Sequence, residues 1–281
     1  MKRGLLVNIV LALLVAGIGA WLMLEPGEKV ESQRALSTKT PSEVRQITIE
    51  RKGLAPFVLQ NHDGNWVQSA PFRARADASK VPRLLDLLRA QAKTTYPAAD
   101  LARFDLDQPF ARVKMDDQVF AFGTVNAVTN EQYVLSGDTV FLVSPVYGFA
   151  LPTRADGLVS HMLLADDEIP TGFAFPGATL VLSDGKWVRT PPPADAAKLS
   201  QDDYVRWVDS WRYASSLATT TVSGNASDEI VTVSLQGGKT LEFRVQSRRP
   251  EVRLRRMDEN LEYEFAADTG ANLLAAGPAA P

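Results

Sequence analysis

The chain has 281 residues, a net charge of −3 and no cysteine. The missing cysteine excludes disulfides, a thiolate nucleophile, cysteine-ligated metal and acylation as a lipoprotein. The small negative charge, with a pI of about 5.6, gives a nucleic-acid partner no global electrostatic support.

Met1, Lys2 and Arg3 precede an apolar run from Gly4 to Leu24, broken only by Asn8. At ~1.5 Å per helical residue the run is roughly 32 Å long, enough to cross a hydrocarbon core of about 30 Å. Its seven Leu, three Val and two Ile favour insertion by at most about 4 to 7 kcal/mol. Residues 1–24 are therefore expected to be a transmembrane anchor. Lys2 and Arg3 lie before the run, and Glu25, Glu28 and Glu31 follow it. That charge bias puts the N-terminus in the cytoplasm and exports the rest. The predicted location is a bacterial inner membrane, with the bulk of the chain in the periplasm. A cleaved signal peptide is the competing reading, but a cut after Gly17-x-Gly19 would fall inside the run, which exceeds the usual apolar length.

Residues 25–42 are rich in Glu, Lys, Ser and Thr and read as a juxtamembrane linker. Beyond them the chain repeats itself. Val58-Leu59-Gln60, Asp63-Gly64, Trp66-Val67 and Pro71 reappear as Val181-Leu182-Ser183, Asp184-Gly185, Trp187-Val188 and Pro191-Pro192. Asp-Gly between short apolar runs predicts a tight hairpin, because glycine reaches positive φ without a Cβ clash. A helix is predicted next in each copy. Val81, Leu84, Leu85 and Leu88 occupy one helical face, as do Tyr204, Trp207, Val208 and Trp211. Asp77 and Ser200 are the candidate N-caps, and both hairpin tryptophans should pack against their helices.

Alternating runs follow each helix. They cover Arg112–Met115, Val119–Phe122, Gln132–Leu135 and Thr139–Val143 in the first copy, and Ile230–Leu235, Thr240–Val245, Val252–Met257 and Leu261–Phe265 in the second. Period-two alternation with tight turns predicts antiparallel meanders. The fold class is α+β: an N-terminal transmembrane helix, then two tandem repeats at 43–146 and 166–267. Each repeat is a β-hairpin, one helix and an antiparallel meander. Residues 147–165 are expected to be a connector, and 268–281 a disordered tail.

The DG-x-W-V hairpin, the leucine-rich helix, Phe104-Asp105-Leu106-Asp107-Gln108-Pro109, Phe122-Gly123 and Tyr133-Val134 together resemble a bacterial membrane-anchored family, domain of unknown function 4340. The connector's Leu163-Leu164 with Asp166-Asp167 is similar to a further family pattern. The resemblance spans roughly 43–265. In that family a "GLD-x-P" turn follows the helix, and here Phe104 or Asp105 stands in place of its glycine, depending on alignment. The resemblance implies a membrane-anchored protein, in some cases associated with ABC-type transport or gliding-type auxiliary proteins. It brings no catalytic residues.

No motif marks a catalyst. His62 and His161 are the two histidines, and neither lies in an H-E-x-x-H or nucleophile-elbow pattern. The acidic groups Asp105/Asp107, Asp116/Asp117, Asp166/Asp167/Glu168 and Asp202/Asp203 sit where turns and helix starts are predicted, where Asp caps N–H groups. Catalytic residues, metal ligands and cofactors are accordingly all read as none. Arg244, Arg248, Arg249, Arg253, Arg255 and Arg256 lie within 13 residues and form the candidate interaction surface, able to grip oxyanions or an acidic partner. The alternative is a solvated sheet face paired with Glu242, Glu262 and Glu264. The expected partners are the membrane and other envelope proteins, with anionic lipid or glycan as the further possibility. The expected function is a non-catalytic scaffold or accessory subunit of an envelope complex. A lipid- or glycan-binding module is the alternative, and a hydrolase using an acidic pair ranks last.

Overall fold

The computed structural model describes residues 14–15, 33–194, 196–222, 224 and 228–278. Most of the expected anchor lies outside them. Within the run only Leu14 and Val15 are described; both are helical and exposed. Among the described residues no helix is long and apolar enough to cross a membrane.

The strands are β1 (Arg34–Ala35), β2 (Gln46–Arg51), β3 (Phe57–His62), β4 (Asn65–Ala70), β5 (Ala74–Arg75), β6 (Gln91–Ala92), β7 (Thr94–Pro97), β8 (Ala111–Met115), β9 (Gln118–Val125), β10 (Gln132–Ser136) and β11 (Thr139–Val143). The second half adds β12 (Pro170–Phe175), β13 (Ala178–Ser183), β14 (Lys186–Thr190), β15 (Ala218–Thr221), β16 (Ile230–Leu235), β17 (Thr240–Ser247), β18 (Val252–Arg256) and β19 (Leu261–Phe265). The α-helices are α1 (Lys80–Leu85), α2 (Val146–Phe149), α3 (Gln201–Arg212) and α4 (Ala267–Leu273).

Two antiparallel sheets carry the fold. Their orders are β5-β4-β3-β2-β8-β9-β10-β11-β7 and β14-β13-β12-β16-β17-β18-β19-β15. Apart from β5 the two orders are the same path taken twice. The α+β class and the duplicated hairpin, helix and meander are what the sequence leads one to expect. Two strands in each repeat are additions. β2 joins hairpin to meander by pairing with β3 and β8, as β12 does with β13 and β16. β7 and β15 follow the helices and close the far edges on β11 and β19.

Each hairpin turns on Asp-Gly with both residues at positive φ: 53° and 94° in the first, 49° and 74° in the second. This fits a two-residue primed turn. Val81, Leu84, Leu85 and Leu88 are all buried, although the helix tightens to a 3-10 turn at Asp86–Arg89. The tighter pitch brings Leu87 inward as well. Ser200 caps α3 in a capping box with Asp203. Asp77 instead holds the N–H and hydroxyl of Ser79, two residues on, in a turn before α1.

The end of the chain corrects the expectation of a disordered tail over 268–281. Residues 267–273 form α4, and Leu273 and Leu274 are buried in the second core. The indole N–H of Trp207 donates to Asn272 O at 2.9 Å, and that of Trp211 to Leu273 O at 2.9 Å. These bonds satisfy carbonyls at the helix end that have no intrahelical partner. Residues 279–281 lie outside the described residues. The linker at 25–42 is likewise shorter than expected, because β1 pairs with β6 and Leu36 is buried in the first core.

α4 and α2 occupy the same place in the duplicated unit. Each follows the last meander strand and places a glycine against the first residue of the strand before it. A Cβ on Gly148 would lie 2.2 Å from Gln132 Oε1, and one on Gly270 would lie 2.2 Å from Val252 Cβ. The repeat therefore includes this closing helix, which in the first copy lies in the segment read as a connector.

Candidate functional site

The ladder registers align the two sheets residue by residue. Leu59 pairs with Ile47 and Ile47 with Met115; Leu180 pairs with Phe173 and Phe173 with Val233. From that starting point, Ala121, Leu135 and Val140 in the first sheet correspond to Arg244, Arg255 and Glu262 in the second. By the same count Tyr133 corresponds to Arg253, and Leu142 to Glu264.

In the first sheet these outward positions are apolar and covered. Phe104 and Leu106 bury Ala121 and Val140 in a small core of their own, with Tyr96, Leu101, Tyr133 and Leu135 around it. The Phe104 ring stands 4.7 Å from Tyr133 and 5.4 Å from Tyr96, centroid to centroid. Gly123 makes this approach possible, since a Cβ there would lie 2.1 Å from Phe104 O. The Phe104–Pro109 turn and the Phe122-Gly123 strand end are thus two halves of one packing unit. Asp105 has φ 55°, in the left-handed region. It is therefore the position that calls for the glycine of a "GLD-x-P" turn.

In the second sheet the same face is charged. Residues 98–110 link β7 to β8 and supply the cover, whereas the link from β15 to β16 is only 222–229. Arg244 Nε donates to Glu242 Oε1 at 2.9 Å, and Arg253 Nε to Glu264 Oε2 at 3.0 Å. Arg255 lies between Arg244 and Glu262 across the strands, and its Nη2 donates to Asn260 Oδ1 at 2.7 Å. Arg248 pairs with Glu229, and Arg249 is exposed in the β17–β18 turn.

Arg256 departs from the candidate surface. Strand alternation turns it inward with Val252 and Leu254, and it is 1% exposed. Its Nη1 donates to Glu168 Oε2 at 2.7 Å and to Leu163 O at 2.8 Å; its Nη2 donates to Glu168 Oε1 at 2.6 Å. Nε reaches Asp258 Oδ1 at 2.9 Å. Burial works against both charges, but the paired hydrogen bonds outweigh it. They hold Arg256 above its ordinary value and Glu168 down to about 2. Asp258 is lowered too, against its partial burial, by Arg256.

A second arginine joins this cluster from the first repeat. Arg75, on β5, pairs with Glu259 and donates from Nη2 to Met162 O at 2.6 Å and to Tyr263 OH at 3.1 Å. Tyr263 donates its hydroxyl to Glu259. Burial, then the neighbouring Glu259 carboxylate, pushes the Tyr263 phenol up. Ala74 and Phe72 pack into the second core, and Ala76 bridges Val159. The β4–α1 segment therefore stitches the first repeat onto the connector and the second sheet.

Three of the four sheet edges carry a guard. β5 covers β4. At the equivalent edge the Gln201 carboxamide accepts from Trp187 N at 2.8 Å and donates to Trp187 O at 3.1 Å. One side chain thus replaces a neighbouring strand. β7 ends on Pro97, which has no N–H to offer.

His161 Nδ1 stands 3.4 Å from Ser216 Oγ, which is 3.0 Å from Thr219 Oγ1. Ser216 is buried, burial lowers the imidazole's pKa, and no carboxylate hydrogen bond to His161 is found among the described residues. The contact ties the connector to the start of β15. His62 is exposed at the end of β3. Asp116 Oδ1 accepts from the backbone N–H of Arg45 and Gln46, and Asp116 and Asp117 both hold Lys39. That pair locks the linker to the first sheet. Among the described residues no group of three or more acidic or histidine side chains could hold a metal ion.

These features define a duplicated α+β protein of two antiparallel sheets, one face covered by its own turn and the equivalent face charged. Residues 66–174 match the model of the family described as Domain of unknown function (DUF4340). The match runs from β4 through the Phe104–Pro109 turn and the connector into β12. No curated protein and no solved structure matches the chain.

Proposed function

We propose that the chain is a single-span inner-membrane protein whose exported part is a non-catalytic scaffold or accessory subunit of an envelope complex, such as an ABC-type transport complex. The observation that supports this is the difference between two equivalent sheet faces. The first copy covers its face with its own turn, and the second presents Arg253, Arg255 and Arg244 among Glu242 and Glu264. A charged face of mixed sign, with Arg253 exposed on it, selects a partner by charge complementarity rather than by apolar area. The guards on three of the four edges disfavour strand addition there, and the face itself is taken as the docking element. The anchor holds this face on one side of the membrane.

The test is recovery of the full chain, tagged at its C-terminus, from native membranes in mild detergent, followed by mass spectrometry. One stoichiometric membrane complex, lost on Arg253→Glu with Arg255→Glu, is the expected result. A bare monomer, seen after crosslinking as well, overturns the reading. A lipid or glycan ligand on the arginine row is the second reading, supported by the three outward arginines. A bound lipid or glycan on the isolated protein would favour it.

A further inference from the structure

The end of the first sheet where β9 passes to β10 is unusually apolar for an exposed surface. Val125 pairs with Gln132, and Gln132 with Val143, so these three strand ends are level. The β9–β10 loop projects beyond them with Val128 at 94% exposure. Asn126 Oδ1 accepts from the N–H of Val128 and of Thr129 at 2.8 and 3.2 Å, which closes the turn of the loop. α2 begins three residues after Val143, rests on Gln132 through Gly148, and leaves Val146 and Phe149 outward, Phe149 at 80% exposure. Exposed apolar residues scattered singly are ordinary, but four gathered at one end of a sheet mark a contact.

The same end is where the chain arrives. Arg34 pairs with Ala92, and Thr94, two residues on, pairs with Leu142 beside Val143. The Arg34 guanidinium lies 5.8 Å from the Phe141 ring centroid. Eight residues, 25–32, separate Gln33 from the apolar run. Fully extended they span about 26–29 Å, so the exit from the membrane lies within that reach of this end. Arg34 and Lys93 are exposed here, giving it cations beside its apolar tips. Glu131 is the acidic residue in the same loop.

We infer that this end of the first repeat rests on the lipid bilayer beside the anchor, with Val128 and Phe149 in the headgroup–acyl boundary and Arg34 and Lys93 against lipid phosphates. The inference rests on the anchored reading above. Apolar tips flanked by cations are the chemistry of an interfacial contact. Seating by this end fixes the height and tilt of the two sheets above the membrane.

The absence of cysteine makes the test direct. The full chain, carrying a nitroxide on Val128→Cys, Phe149→Cys or Lys186→Cys, is reconstituted in vesicles of phosphatidylethanolamine and phosphatidylglycerol. Lys186 is exposed beside the β13–β14 turn of the second repeat and serves as the aqueous reference. Collision with oxygen is compared with collision with a water-soluble nickel chelate. The expected result is an oxygen-to-nickel ratio several-fold higher at 128 and 149 than at 186. Equal ratios at all three positions, in vesicles that float with the protein and with tryptophan emission as in the parent, overturn the inference and leave the anchor standing. Protein that does not float with the vesicles overturns both.

Discussion

The two repeats have one topology and opposite surface solutions. In the first, a 13-residue link between β7 and β8 folds back over the sheet, and the residues beneath it are Ala121, Leu135 and Val140. In the second, the link is eight residues, and the same positions hold Arg244, Arg255 and Glu262. A sheet face that a turn packs against must be apolar to hold it, and the equivalent charged face pairs its arginines with acidic side chains, Glu262 buried among them. Link length and face composition therefore vary together. The inner faces differ as well. The first helix is aliphatic and short, whereas α3 brings Trp207 and Trp211 to within 4.9 and 5.4 Å of Phe173.

The largest test of this comparison is at the hairpin tryptophans. Trp187 is 8% exposed in the second core, while its counterpart Trp66 is only partly buried. Trp187→Ala should cost about 3–5 kcal/mol of stability, and Trp66→Ala distinctly less, measured by urea unfolding. Equal losses would mean that the two hairpins carry the same load.

Arg256 and Arg253 separate the buried cluster from the charged face. Arg256→Ala leaves Glu168 buried without its main partner and should cost about 3–5 kcal/mol. Arg253→Ala breaks an exposed pair and should cost no more than about 1 kcal/mol. The same unfolding assay checks both.

Acid should weaken the second repeat through Glu168. Its carboxyl is held well below the ordinary 4.5 in the fold, at about 2. Its contribution is therefore complete above the ordinary value and is lost as the pH falls from about 4.5 through 2. The loss is up to about 3 kcal/mol. Glu168→Gln should flatten that part of the stability–pH profile, and an unchanged profile would remove Glu168 as its source.

The closing helices sharpen the comparison further. Gly270→Ala drives a methyl into the branched Val252 and should cost about 1–3 kcal/mol. Gly148→Ala meets the end of a longer side chain, Gln132, and should cost less. The smallest effect is at the turn over the first sheet. Asp105→Gly relieves a left-handed residue and should be neutral or stabilising by up to about 1 kcal/mol, whereas loss of stability would show that the Asp side chain has a task of its own.

Much of the fold was legible because it is local. Asp63-Gly64 and Asp184-Gly185 set the hairpins, the apolar spacing set α1 and α3, and alternation set eight meander strands to within three residues at either end. β2, β7, β12 and β15 were not read out. β7 and β15 are four residues each, and the edge strand Ala218–Thr221 carries only one buried side chain. α4 was missed because Ala267–Leu273 is small and glycine-containing, without a wide apolar stripe, and its helical form depends on two indoles some 60 residues away in sequence. Arg256 was grouped with its neighbours because a run of arginines in sequence does not say which of them alternation turns inward.

Periodicity and the backbone freedom of single residues were enough to establish the duplication, the α+β class and the kind of turn at each hairpin. Three outcomes needed the folded chain: which equivalent face is covered, that Arg256 and Arg75 close a buried cluster between the repeats, and that the chain's end completes the second unit. Each depends on groups far apart in the chain meeting, which strand registers and link lengths fix and local pattern does not.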